Sequence, residues 1–216
     1  MSSNPSRLDL RVDVLDKKDQ RALALANLTT TEFVEAILRE FRELEYLGDV
    51  PADYQLLKAE DNAPLEAQSQ LQQQVASNGR LLLVENKPPL PSGTRRPSHD
   101  VYLRDLTSGK VYKLNWQPAV IGRPDKNQPH DDWLAVNLEP FQAGLRVSRR
   151  QAMITEQDGR FFIESLSRNP TALKKENGDP IEVGEQKQPL APGDVIFLER
   201  SNISLKFIVR DEKPQE

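Results

Sequence analysis

The sequence predicts two domains, an α+β unit over residues 1–86 and an all-β sandwich over residues 101–216, joined by a proline-rich tether over residues 87–100. Three observations carry this division. The first stretch mixes alternating apolar runs with one apolar stripe at helical spacing. The stretch Lys87 to His99 holds four prolines and almost no core-forming residue. The last stretch is a series of short apolar runs separated by glycine turns, with no amphipathic helix among them.

In the first unit Leu8, Leu10, Val12 and Val14 alternate with Asp9, Arg11 and Asp13, the pattern of a half-buried strand. Asp16-Lys17-Lys18-Asp19 reads as a turn, and Arg21 to Leu28 as the returning strand. Thr29 stands three residues before Glu32, the spacing of a capping box, and Phe33, Ile37, Phe41 and Leu44 follow as a helical stripe. Gly48 and Pro51 are expected to stop that helix. Tyr54 to Lys58 reads as a short strand, and the five glutamines between Gln68 and Gln74 as a polar connection or a short helical turn. Asn78-Gly79 turns the chain into the apolar strand Leu81-Leu82-Leu83-Val84. This order of elements resembles the ubiquitin-like β-grasp, in which strands wrap one helix. The resemblance implies a protein-docking domain. It does not imply a conjugated modifier, because Glu85-Asn86 runs on into further chain where a modifier ends in a free Gly-Gly tail, and the chain has no cysteine to carry a thioester.

The tether cannot bury enough surface to offset its ordering entropy, so it is expected to be semi-extended. It also contains Arg95-Arg96-Pro97-Ser98, a pattern suited to a base-directed kinase, with Thr94 beside it.

In the last stretch Val101-Tyr102-Leu103 and Val111-Tyr112-Lys113-Leu114 flank Thr107-Ser108-Gly109-Lys110, a hairpin. Further strands are expected around Val120-Ile121, Ala152-Met153-Ile154, Phe161-Phe162-Ile163, Val195 to Leu198 and Leu205 to Val209, with breakers at Asp158-Gly159, Asn177-Gly178 and Pro192-Gly193-Asp194. Many short strands and frequent turns indicate a β-sandwich.

Composition narrows the function. The chain of 216 residues has no cysteine, which excludes a disulfide framework and thiolate chemistry and agrees with a cytoplasmic protein. Met1 to Ser6 has neither a basic nor an apolar leader region, and no apolar run approaches a membrane span. Neither a nucleic-acid partner nor membrane insertion is therefore expected: the net charge is −4, with residues 1–86 carrying 9 basic against 15 acidic side chains and residues 101–216 carrying 17 of each. The arginines of the second half matter by their placement. His99 and His130, the latter beside Asp131-Asp132, lack metal-ligand spacing, and no hydrolase elbow, phosphate loop or kinase signature occurs. No enzyme activity, metal or cofactor is expected.

Three pieces of the second half share one form, an apolar strand end beside an arginine and a small or hydroxyl residue. They are Val120-Ile121-Gly122-Arg123, Val147-Ser148-Arg149-Arg150 and Ser167-Arg168-Asn169-Pro170-Thr171. Guanidiniums and hydroxyls gathered at strand ends suit an oxyanion with several acceptor oxygens, above all a phosphate. With Gly193-Asp194-Val195-Ile196 they make residues 101–210 resemble a forkhead-associated (FHA) domain. The resemblance implies an eleven-stranded sandwich that binds phosphothreonine peptides at one end. By position, Arg123 would pair with the phosphate or buttress its loop, Ser148 would donate its hydroxyl, and Arg149 would add charge-assisted bonds. Arg168 would lie near the phosphate, and Asn169 would hold the peptide backbone. The chain departs from the family at Gln151, where a bracing histidine is usual, at Pro170 in place of glycine, and at Lys174 in place of a later asparagine. The expectation is a non-catalytic adaptor that binds a phosphorylated protein or peptide, with a further protein partner for the β-grasp unit. The rival expectation is a sandwich that associates without phosphate, through the β-grasp unit.

Overall fold

The computed structural model describes residues 6–125, 131–175 and 178–210. Residues 1–5, His130 and Asn177 lie outside these. The chain forms two compact units, Met1–Lys87 and Pro88–Glu216.

The first unit is built on a four-stranded sheet. Strands β1 (Arg7–Val14), β2 (Lys17–Leu25), β3 (Tyr54–Lys58) and β4 (Arg80–Glu85) are ordered β2-β1-β4-β3. β1 pairs antiparallel with β2 and parallel with β4, so the outermost segments of the unit's sequence lie side by side at the sheet centre. The helix α1 (Thr30–Glu40) starts as its sequence requires: Glu32 N–H donates to Thr29 Oγ1 at 3.2 Å, and Thr29 N–H donates to Glu32 Oε2 at 2.8 Å. Its face of Phe33, Val34, Ile37 and Leu38 joins a core with Leu10, Leu56, Leu81 and Leu83 from the sheet. Each such side chain contributes about 1.5–3 kcal/mol on burial.

Two boundaries in this unit differ from expectation, and the glutamine-rich connection takes the short helical turn that its sequence allows. The turn after β1 is confined to Leu15 and Asp16, with Leu15 at φ 55°, so β2 begins at Lys17. The charged pair Lys17-Lys18 stands on the exposed edge strand, where water solvates it without cost to pairing. The helix ends at Glu40, before Gly48, and Leu44 and Leu47 reach the core from the turns beyond it. The glutamine-rich connection forms α2 (Leu71–Gln74), fixed by Gln74, whose side chain bonds Thr30 Oγ1, Glu66 and Ser69.

The second unit is a two-sheet sandwich. Its strands are β5 (Asp100–Asp105), β6 (Val111–Lys113), β7 (Ala119–Gly122), β8 (Leu134–Asn137), β9 (Arg150–Gln157), β10 (Arg160–Ser165), β11 (Thr171–Lys174), β12 (Ile181–Glu182), β13 (Gln188–Leu190), β14 (Val195–Leu198) and β15 (Ile203–Arg210). Five form a sheet in the order β13-β10-β9-β7-β8 and six a sheet in the order β12-β11-β14-β15-β5-β6. Alternate residues of each point inward, as in Ile203, Leu205 and Phe207 of β15, and meet Ile121, Ile154 and Ile163 of the other sheet. Phe161 and Phe207 cross this interface edge to face, with centroids 5.3 Å apart. β8, β11, β12 and β13 were not expected from the sequence. They are two to four residues long, and β13 contains Pro189, so none has enough alternation to register.

The proline-rich stretch, expected as a tether, is hydrogen-bonded to the second unit. Arg95 exchanges backbone bonds with Gln117 at 3.0 and 2.8 Å, and Trp133 Nε1 donates to Ser92 O at 2.9 Å. Arg96 Nη1 donates to Asn115 O at 2.8 Å. The stretch buries little apolar surface, so composition reads as disorder; its order comes from arginine and tryptophan bonds to backbone carbonyls.

Candidate functional site

One end of the sandwich gathers the turns after β7, before β9, before β11 and between β14 and β15. Gly122 sets how close the first two come. A Cβ there would lie 2.2 Å from Arg149 O and 2.9 Å from Ser148 O, so only glycine permits this approach. The approach lets Arg123 N–H donate to Arg149 O at 3.0 Å, and Arg123 Nε donate to Val147 O at 2.6 Å. The second of these bonds orients the Arg123 guanidinium along the loop before β9.

Gln151 joins that loop to the one before β11. It is 1 % exposed. Its Oε1 accepts from Ser148 N–H at 3.1 Å, and its Nε2 donates to Asn169 O and to Thr171 Oγ1, both at 2.9 Å. A neutral imidazole offers one donor and one acceptor, whereas this amide uses two donors and one acceptor. The sequence marks Gln151 as a departure from the histidine pattern, and the fold shows it holding both loops.

The Ser148 hydroxyl lies 2.6 Å from Ser167 Oγ and accepts from Asn169 Nδ2 at 2.8 Å. Ser167 Oγ in turn accepts from Asn169 N–H at 3.0 Å. With the Ser167 proton directed to Ser148, both lone pairs of Ser148 are filled, and its own proton is available to a ligand.

These groups surround an open cavity of about 450 Å³ lined by Arg123, Leu145, Arg146, Val147, Ser148, Asn169 and Arg200. Arg146 is exposed at the end of the turn Gly144–Arg146. Arg200 sits in the turn between β14 and β15, where Ser201 Oγ donates to Leu198 O at 3.2 Å and Asn202 has φ 54°. Three guanidiniums, one hydroxyl and one amide around a single cavity complement a multiply charged oxyanion.

The five residues expected at the site fall into two groups. Arg123, Ser148 and Asn169 line the cavity. Arg149 and Arg168 are exposed and do not. Arg149 reaches Asp125 instead, at 3.3 Å, with Asp125 buried. Asn169 lines the cavity with its amide already donating to Ser148 Oγ and to Arg146 O, the latter at 3.2 Å. Lys174 lies away from the cavity, its Nζ 3.7 Å above the Phe197 ring. Arg200 was missed: it lies four residues beyond Gly193-Asp194-Val195-Ile196, in a turn whose charge carries no sequence signal of its own.

The FHA domain family model matches residues 119–198, which contain Gly122, Ser148, Gln151 and Asn169. No curated protein matches the chain. Among solved structures, Mycobacterium tuberculosis EmbR in complex with a low-affinity phosphopeptide is 24 % identical, with 54 % of this chain and 26 % of that one covered and a TM-score of 0.39. This chain therefore spans about a quarter of the length of EmbR. The FHA domain of human APLF in complex with an XRCC1 bisphospho peptide is 23 % identical over 50 % of this chain and 97 % of that one, with a TM-score of 0.38. The FHA domain of an Arabidopsis thaliana hypothetical protein is 16 % identical over 60 % of this chain and 100 % of that one, with a TM-score of 0.40. Residues 119–198, from the start of β7 to the end of β14, match the FHA domain family.

Proposed function

We propose that the sandwich over residues 101–216 captures a phosphothreonine segment of a partner protein, and that the chain acts as a non-catalytic adaptor. The observation that carries this reading is the cavity in which Arg123, Arg146, Arg200 and the Ser148 hydroxyl converge. A phosphothreonine carries close to two negative charges and three acceptor oxygens, which matches several guanidiniums and a free hydroxyl proton better than a carboxylate does. Arg149 and Arg168, at the exposed rim, meet residues flanking the phosphate. The first unit, whose sheet order and packing of α1 on the sheet suit a ubiquitin-like β-grasp, provides a second docking surface for protein.

One observation favours the rival reading of phosphate-independent association. The Asn169 amide, expected to clamp the peptide backbone, has both of its hydrogens engaged inside the loop. Fluorescence anisotropy of the full chain with a degenerate phosphothreonine peptide pool separates the two. Saturable binding that disappears with the unphosphorylated pool and with Ser148→Ala/Arg123→Ala supports the phospho-reader. Absence of binding to both pools supports the rival.

A further inference from the structure

We infer that Ser98 is a phosphorylation site, and that its phosphorylation detaches the strap of residues 88–99 from the second unit. Ser98 is exposed, and it follows Arg95 and Arg96 at the three and two positions that base-directed kinases read. Its placement gives the modification a consequence. The Ser98 N–H donates to Glu156 Oε2 at 3.0 Å, and the Ser98 hydroxyl donates to Glu156 Oε1. Glu156 is 4 % exposed, near the end of β9. The carboxylate's other contact is the Gln117 amide at 3.5 Å, and the neighbouring Arg95 guanidinium bonds the Glu156 main-chain oxygen instead of the carboxylate.

The transfer itself is ordinary. Ser98 Oγ forms a bond to the γ-phosphorus of ATP, the bond from that phosphorus to the β,γ-bridging oxygen breaks, and ADP leaves. The hydroxyl proton passes to the kinase's catalytic base. Three changes then act together at Glu156. The hydroxyl donor is gone, a group of nearly two negative charges faces a buried carboxylate, and its oxygens need the space the carboxylate occupies. The other group beside Ser98 Oγ is His99 Nδ1, at 2.8 Å, on the same strap and free to leave with it.

The same arginines serve both states. In the docked strap Arg95 Nη2 donates to Glu156 O at 2.9 Å, and Arg96 donates to Asn115 O and Pro88 O. A kinase that grips Arg95 and Arg96 must take them from these carbonyls, so it acts on the transiently open strap, and the phosphate then holds the strap open. The switch is separate from the oxyanion cavity. Glu156 lies five residues along β9 from Gln151, about 17 Å at the rise of a strand, so this inference stands whether or not the cavity binds phosphothreonine.

The test uses the full chain, the catalytic subunit of a cyclic-nucleotide-dependent kinase and Mg·ATP. Phosphosites are mapped by tandem mass spectrometry, and amide hydrogen exchange is followed before and after modification. The expected result is phosphate on Ser98, with exchange of the Arg95 and Ser98 amides accelerated about tenfold or more and exchange in β5 and β15 unchanged. Failure to modify Ser98 in the chain, while a free peptide of residues 90–102 is modified fully, would overturn the inference. Unchanged protection in the phosphorylated chain would overturn it too. So would an equal acceleration in unmodified Ser98→Ala, because the strap would then open without the phosphate.

Discussion

The side-chain amide of Gln151 donates to the backbone oxygen of Asn169 at 2.9 Å while its oxygen accepts from Ser148 N–H, so one buried glutamine ties together the two loops that carry the cavity's hydroxyl and amide. Replacing it with leucine keeps the volume and leaves Ser148 N–H, Asn169 O and Thr171 Oγ1 without this partner. Each buried polar group stranded in this way costs about 1–3 kcal/mol. Gln151→Leu is expected to lower unfolding stability by about 2–4 kcal/mol, read by urea denaturation, and to weaken phosphopeptide binding. Gln151→His, which keeps one donor and one acceptor, is expected to fall between the two.

Gly122→Ala tests the approach of the loops from the other side. The new Cβ would sit 2.2 Å from Arg149 O, and both groups belong to backbone, so the strand end must shift. The expected cost is about 3 kcal/mol or more, measured by thermal or urea unfolding. A variant as stable as the parent would show that the loops separate freely.

The legible part of this fold is the part set by local chemistry. The Thr29–Glu32 box, the alternation of β1 and the apolar runs of β9, β10, β14 and β15 each state their own structure, because one side chain's partner lies within a few residues or one face must be buried. The strap was misread because its order depends on where Arg96 and Trp133 find backbone carbonyls, which composition does not encode. Arg123, Ser148 and Asn169, expected from the resemblance of three short strand-end pieces to one family, line the candidate cavity, because each piece is local in the chain. Arg149 was legible as a neighbour of the site, but its pairing with Asp125 is a tertiary fact. Arg200 was not legible at all, since the β14–β15 turn reaches the cavity through sheet order alone.

Arg200 therefore offers the sharpest test of the cavity. Loss of one charge-assisted bond to a phosphate corresponds to about 1.5–3 kcal/mol, or roughly a ten- to hundredfold weaker affinity. Arg200→Ala is expected to weaken phosphothreonine-peptide binding within that range and to flatten its dependence on salt. Its exposed turn position predicts little change in stability. Isothermal titration at two ionic strengths reads both effects, and unchanged affinity would remove Arg200 from the site.

Asp100 connects the sandwich's stability to pH. Its carboxylate bonds Lys113 Nζ at 2.7 Å and Arg210 Nη2, joining β5 to β6 and β15. Burial pushes its pKa up, but the bonds from Lys113 and Arg210 outweigh burial and hold it below the ordinary aspartate value. A carboxylate whose pKa is lower when folded than when unfolded stabilises the folded state fully above the unfolded value, and that stabilisation is lost as pH falls through the folded one. Asp100→Asn is accordingly expected to lower stability at pH 7 by about 1–3 kcal/mol. The gap between parent and variant should close as pH drops below about 4, because the parent's carboxyl then becomes neutral as well. Urea unfolding of both proteins between pH 7 and pH 3 reads the gap directly. A gap of constant size across that range would show that the Asp100 charge contributes nothing and that the variant's loss is one of packing.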